Sequence, residues 1–197
     1  MAAVDLTGLA LRFAGRDPLR FGGPATPSSG AAILMIERMG TRHRFRLETP
    51  MMAMEPHGRR WGMLLELAER QGGLISIPQI GFNVGAPGSP TVLSATASGK
   101  SIPVAGGTPS YAYRFGQWVS FVSGGRRYAD RLTEQAIADA SGAATLSILN
   151  LLRAPLAEGD TVEVGQPKAQ GVLTELRGGD MTTDGLTSFS FTLTEEA

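Results

Sequence analysis

The residues of this 197-residue chain that could do chemistry are few, and the first group lies in "DASGAATLSIL", residues 139 to 149. Asp139, Ser141 and Gly142 have the types that open a calcium loop or edge a catalytic turn. A calcium loop spaces oxygen ligands at alternate positions and closes with a bidentate carboxylate. After Ser141, no carboxylate follows until Glu158. The segment reads instead as a hairpin turn. Asp139 and Ser141 bond to nearby backbone, Gly142 takes a positive φ, and Thr145, Ser147 and Leu149 alternate with Leu146 and Ile148 in the returning strand.

The other candidates are scattered. His43 and His57 are the only histidines and have no metal-ligand spacing; His43 falls on an apolar strand face and His57 in a first helical turn. No G-x-S-x-G elbow occurs, and "SGKS" at 98 to 101 lacks the first glycine of a phosphate loop, because position 94 is serine. Glu134 and Asp139 are the carboxylates available for a hydrolase cleft, but nothing in the sequence sets their separation. The expectation is therefore a protein that is not an enzyme, with no cofactor and no metal site.

Arg42, Arg44 and Arg46 share one face of a strand, and Arg59 and Arg60 follow nearby. A nucleic-acid surface would interleave aromatics with such residues for base stacking. Trp118, Phe121 and Tyr128 sit elsewhere and read as core. An interface between proteins suits the pattern better, since all positive side chains except Lys100 and Lys168 are arginines. Lysine plus arginine balances aspartate plus glutamate at 18 each, so no bulk charge draws the chain to nucleic acid or anionic lipid.

These residues need elements to position them. A hydrophobic content of 42% is globular, and the absence of cysteine excludes disulfides and thiolate chemistry. Asp5 and Arg12 interrupt any export-signal core, and the longest apolar run, "AAILMI" at 31 to 36, is far short of the roughly 20 residues that span a bilayer. A soluble protein is expected. Glycine pairs at 22–23, 72–73, 106–107, 124–125 and 178–179 punctuate the chain as tight turns do in antiparallel β structure.

Within that frame, "TRHRFRLET" at 41 to 49 alternates as a half-buried strand, with Thr41, His43, Phe45 and Leu47 inward. "QWVSFVSGGRRYADRL" reads as a hairpin around Gly124-Gly125, with Trp118 directed to the core. "SFSFTL" at 188 to 193 reads as a closing strand. One helix is expected over 55–71, with Pro56 in its first turn, Trp61, Leu64, Leu65 and Ala68 on its apolar stripe and Gly72 as its stop. The Gly/Pro/Ser/Thr-rich stretch 85–110 reads as a linker into a second unit. The expected organisation is a domain of 1–88 plus 170–197 carrying the helix, with 89–169 inserted as a small β-barrel.

The order of these segments carries a resemblance. "RHRFRLETPMMAMEP", then "RRWGMLLELAERQGGLISIP", a Gly/Pro loop, and "FGQWVSFVSGGRRYADRLTEQAIADASGAATLSILNLLRAPLAEGDTVEV" together resemble distal tail proteins of long-tailed phages, over roughly residues 40 to 197. The resemblance implies a mainly β fold: a β-sandwich with one flanking α-helix, related to tail-tube folds, with an inserted small β-barrel. It implies a structural virion protein, a homo-oligomer forming a six-fold ring that joins the tail tube to hub or baseplate proteins. DNA would pass through the ring without specific binding, and no membrane is involved. On this reading Arg42, Arg44 and Arg46 are candidates for the subunit interface. The alternative is a carbohydrate-binding β module of a receptor-binding tail tip, for which 2 tryptophans and 3 tyrosines are a thin supply of stacking surface.

Overall fold

The structure is a computed structural model that describes residues 3–28, 30–180 and 183–196. It is mainly β, with one α-helix among the described residues. Strands β1 (Val4–Asp5) and β2 (Arg12–Arg16) precede a hairpin of β3 (Gly23–Ala25) and β4 (Leu34–Ile36). Then β5 (Arg44–Glu48) and β6 (Met52–Ala53) lead into helix α1 (Arg59–Gln71) and β7 (Gly73–Ser76). The middle of the chain supplies β8 (Gly88–Val92), β9 (Ser101–Gly107), β10 (Ala112–Tyr113) and β11 (Trp118–Ser123). It continues with β12 (Arg126–Arg131), β13 (Ala136–Ile137), β14 (Ala144–Ser147) and β15 (Val162–Glu163). Strands β16 (Lys168–Gly178), β17 (Leu186–Thr187) and β18 (Phe189–Glu195) close the chain.

Two compact units result. Met1–Pro18, His43–Ile77 and Lys168–Glu196 form the first, and Leu19–Arg42 with Pro78–Pro167 form the second. The expected boundaries differ from this division at 19–42, 78–88 and 168–169. The 79–84 segment is tied to later chain: Gln79 Oε1 accepts the Trp118 amide at 2.9 Å, and Tyr111 Oη donates to the Val84 carbonyl at 2.7 Å. Residues 19–42 are linked to the same unit by an ion pair between Glu37 and Lys100 at 2.5 Å.

The first unit is built on a six-stranded sheet in the order β1-β7-β16-β18-β5-β2, antiparallel except for the β1–β7 pair. The alternation at 41 to 49 orients β5 as expected: Phe45 and Leu47 are 1% exposed, and Leu193 and Phe191 lie directly opposite them on β18. Helix α1 packs on β16, β7 and β1 and buries Leu65 and Ala68. It ends at Gly72, whose φ of 83° suits glycine and whose amide caps the Ala68 carbonyl at 2.8 Å. The helix begins later than the sequence implies. Glu55 is extended (φ −110°, ψ 131°) before a cis Pro56, and Met54–Gly58 forms an irregular turn, so regular α-helix starts at Arg59. The residue before a proline is sterically kept out of the α region, which excludes Glu55 from the helix.

The second unit holds two three-stranded sheets, β12-β11-β15 and β14-β9-β8, and the pairs β10-β13 and β3-β4. Isolated bridges connect the two larger sheets at both ends, Thr91 with Thr161 and Leu132 with Ile148. One apolar core, including Val92, Ile102, Val104, Tyr113, Phe121 and Leu146, lies between them. The stretch 85–110 is therefore not a linker. It supplies β8 and β9, in which Val92 and Ile102 are fully buried. Its prolines are accommodated locally: Pro90 sits where the β8–β9 register shifts, and the Pro103 carbonyl still accepts the Leu93 amide at 2.9 Å.

The hairpin β11–β12 forms around Gly124-Gly125 as expected, but Trp118 does not face the core. Val119 and Phe121 fill the interior, while Trp118 is half-buried on the opposite face beneath the guanidinium of Arg131, 5.7 Å from its ring. The two residues are cross-strand partners, so the tryptophan is covered by its neighbour in the ladder.

Candidate functional site

The strand β5 presents Arg44, Arg46 and Glu48 on the face of the six-stranded sheet opposite Phe45 and Leu47. The period-2 geometry of the strand dictates this separation of charge from core. Asp17, just past the end of β2, organises the arginines. Its amide donates to the Arg44 carbonyl at 3.0 Å, and its carboxylate accepts from the Arg44 guanidinium and, at 3.4 Å, from Arg46 Nη2. The hydrogen bond and charge of Arg44 hold the Asp17 carboxyl below its ordinary range, with Arg46 adding to the effect.

Across the sheet, β16 bulges between Thr174 and Arg177, where Glu175 adopts a φ of 56°. The bulge turns the Glu175 carboxylate toward β18, and it accepts a hydrogen bond from Thr192 Oγ1 at 2.8 Å. Arg44, Arg46, Glu48, Glu175, Arg177 and Thr192 line a shallow depression of about 480 Å3. Three arginines and two carboxylates share it. Such a mosaic suits another protein surface of complementary charge better than a phosphate, which would meet two carboxylates in the same depression.

Arg42 has other side-chain neighbours than Arg44 and Arg46. Arg42 lies in the second unit, bridged to Leu19 by backbone hydrogen bonds. Its guanidinium carbon lies 5.5 Å from the Phe21 ring centroid, and its Nε donates to the Gly40 carbonyl at 3.3 Å. The strand alternation predicts the Arg44 and Arg46 face. The bridge from Leu19 to Arg42 keeps the register in which Arg16 lies opposite Phe45, so it extends the β2–β5 pairing.

The candidates for acid–base chemistry are placed differently from a cleft. Asp139 Oδ1 accepts from Ser141 Oγ at 2.6 Å and from the amides of Ser141 and Ala143 at 2.8 and 2.9 Å. These bonds, led by that of the Ser141 hydroxyl, lower its pKa. A general acid of a glycoside hydrolase needs the opposite shift. Glu134 is exposed on the loop after β12. His43 is 3% exposed, and its amide donates to Glu195 Oε2 at 2.8 Å, while His57 is exposed in the turn before α1. Among the described residues, no group of three or more His, Asp or Glu side chains is placed to hold a metal ion.

The turn at 139–142 forms as expected, with Gly142 at φ 79°. It is not a simple hairpin, because its flanking strands pair elsewhere: β13 with β10 and β14 with β9. The turn docks on β9, where the Gly107 amide donates to the Gly142 carbonyl at 3.0 Å. A Cβ on Gly142 would lie 2.0 Å from the Gly107 carbonyl oxygen.

Two features were missed in the sequence. Glu163 accepts from Ser120 Oγ at 2.8 Å and from Arg127 Nε at 3.1 Å, forming a polar network across β15, β11 and β12. The apolar run at 31 to 36 does not enter a core: Ile33, Leu34 and Met35 are more than 60% exposed. Among the described residues, no helix is long and apolar enough to cross a membrane. No family model matches the sequence, and no curated protein matches it.

Proposed function

We propose that this protein is a structural virion component, a ring-forming adaptor that joins the tail tube of a long-tailed phage to its baseplate or tail tip. The observation that carries the reading is the mixed-charge face of the six-stranded sheet. There Arg44, Arg46 and Arg177 stand among Glu48 and Glu175, a surface suited to a complementary patch on a neighbouring subunit. Rings arise when one patch binds a different patch on the next copy and the rotation closes. The balanced net charge suits such self-association, and it suits a channel through which DNA passes without specific binding.

The order of segments resembling distal tail proteins supports the same reading. So does the chain path, in which Pro78–Pro167 interrupts a unit completed by β16 and β18. On this reading the first unit is the ring-forming β-sandwich with its flanking helix, and the second is a small barrel. The two bridges that join its sheets at both ends would supply the barrel's closure. The protein would act in the virion tail by geometry, with no catalytic step.

The test is the solution mass by light scattering together with negative-stain images of the same sample. A closed ring with a central hole wide enough for duplex DNA is the expected result. A strict monomer at high concentration would sink the proposal.

A further inference from the structure

The hairpin β3–β4 exposes apolar side chains that nothing in its own unit covers. Every residue of β4 is exposed, on both faces of the ribbon: Leu34 at 64%, Met35 at 67% and Ile36 at 39%. Ile33 at 62% and Met39 at 55% extend the patch. Together these side chains offer roughly 500 Å2 of apolar surface over the two faces of the ribbon, whereas singly scattered exposed apolar residues need no explanation. The ribbon has only two strands, and an isolated two-stranded hairpin is marginal in water.

Its two edges are unequal. β3 contains Pro24, which has no N–H and so weakens that edge as a pairing template. β4 contains no proline, and among the described residues its one strand partner is β3, so its outer edge carries main-chain groups with no described strand beside them. A membrane would cover the side chains but leave those main-chain groups unsatisfied in hydrocarbon. Another strand covers both. The chain itself carries open edges that can receive one, since β2 and β1 end the six-stranded sheet.

We propose that the β3–β4 hairpin is an assembly arm that docks on a second copy of this chain, with β4 adding by its free edge to an exposed strand of that copy. The inference rests on the reading of the protein as self-assembling and names the element that makes the contact. The apolar surface of the arm is more than half of the ~800 Å2 per partner of a standard interface, and strand addition supplies main-chain hydrogen bonds besides.

The experiment compares wild type with the double variant Leu34→Ser, Met35→Ser by sedimentation velocity from about 1 to 100 μM, a range that spans micromolar association. Melting curves of both report folding. The expected result is assembly of the wild type and at least a tenfold weaker association of the variant at an unchanged melting temperature. Hydrogen exchange of wild type gives a second readout, since amides 33–37 should gain protection as concentration rises, and it decides the matter if the variant does not fold.

Equal association by both proteins overturns the arm, as does unchanged exchange at 33–37. A wild type that stays monomeric also overturns it, and flotation of that monomer with phosphatidylglycerol vesicles would assign the patch to lipid instead. Closed rings that persist in the variant leave the adaptor reading standing while the arm falls. Arm-dependent dimers or open chains do the reverse.

Discussion

Replacing Gly142 by alanine tests whether the 139–142 turn is held by its docking on β9. Two penalties arise there. At φ 79° an alanine is strained by about 1 to 2 kcal/mol relative to glycine. The new Cβ would also lie 2.0 Å from the Gly107 carbonyl oxygen, which is backbone and cannot rotate away. Relief requires the turn to lift, and that breaks the 3.0 Å hydrogen bond from the Gly107 amide to the Gly142 carbonyl, worth about 1 kcal/mol. The sum is about 2 to 3 kcal/mol, or a fall of about 10 °C in melting temperature for a unit of this size. Gly159→Ala is the control: its φ is 86°, yet nothing lies within 4 Å of the added Cβ, so it should lose only the strain, about 1 to 2 kcal/mol. The assay is urea unfolding followed by tryptophan emission in a Trp61→Phe background, which leaves Trp118 as the reporter of the second unit. If Gly142→Ala loses no more stability than Gly159→Ala, the close approach of the turn to β9 is not a constraint and the reasoning fails.

Two further predictions concern carboxylates. The pKa of Asp139 is lowered in the fold by the Ser141 hydroxyl and the backbone amides, so the contribution of the group is fully present above the ordinary aspartate value of about 3.9 and is lost as pH falls through the folded value. Melting curves between pH 2 and about 6 should therefore converge for wild type and Asp139→Asn at the acid end and separate above it; parallel curves would refute the assignment. Glu163→Ala removes the acceptor of both Ser120 and Arg127 and should cost about 2 kcal/mol in urea unfolding, whereas Glu163→Gln keeps an acceptor for Ser120 and should lose less; equal losses would refute the two-bond account.

The strand at 41–49 was legible because a half-buried strand must alternate, and Phe45 and Leu47 against Arg44 and Arg46 do so without exception. The turn at 139–142 was legible because Asp, Ser and Gly each have a local reason to be there, and local hydrogen bonds need no distant partner. Trp118 was misread for the opposite reason. Alternation separates two faces but does not say which one meets the core, and the neighbouring Val119 and Phe121 took that place. Strands β8 and β9 were hidden because Gly, Pro, Ser and Thr signal loops locally, while ladder partners at 144–147 and a shared core make strands of them. That Glu55 lies outside the helix followed from the proline after it, which holds the preceding residue extended.

The arginine face divides in the same way. That Arg44 and Arg46 point away from the core is a consequence of strand period alone. That Asp17 holds them and that Glu175 is turned toward Thr192 by a bulge depend on how the chain crosses the sheet. The sequence by itself determined a cysteine-free, charge-balanced, turn-rich β protein with one amphipathic helix, because composition, period and turn chemistry act over a few residues. Only the tertiary structure decided which faces are buried, which carboxylate meets which arginine, and that the most apolar run in the chain stands in solvent. Those outcomes rest on pairings between residues tens of positions apart, for which adjacent sequence carries no signal.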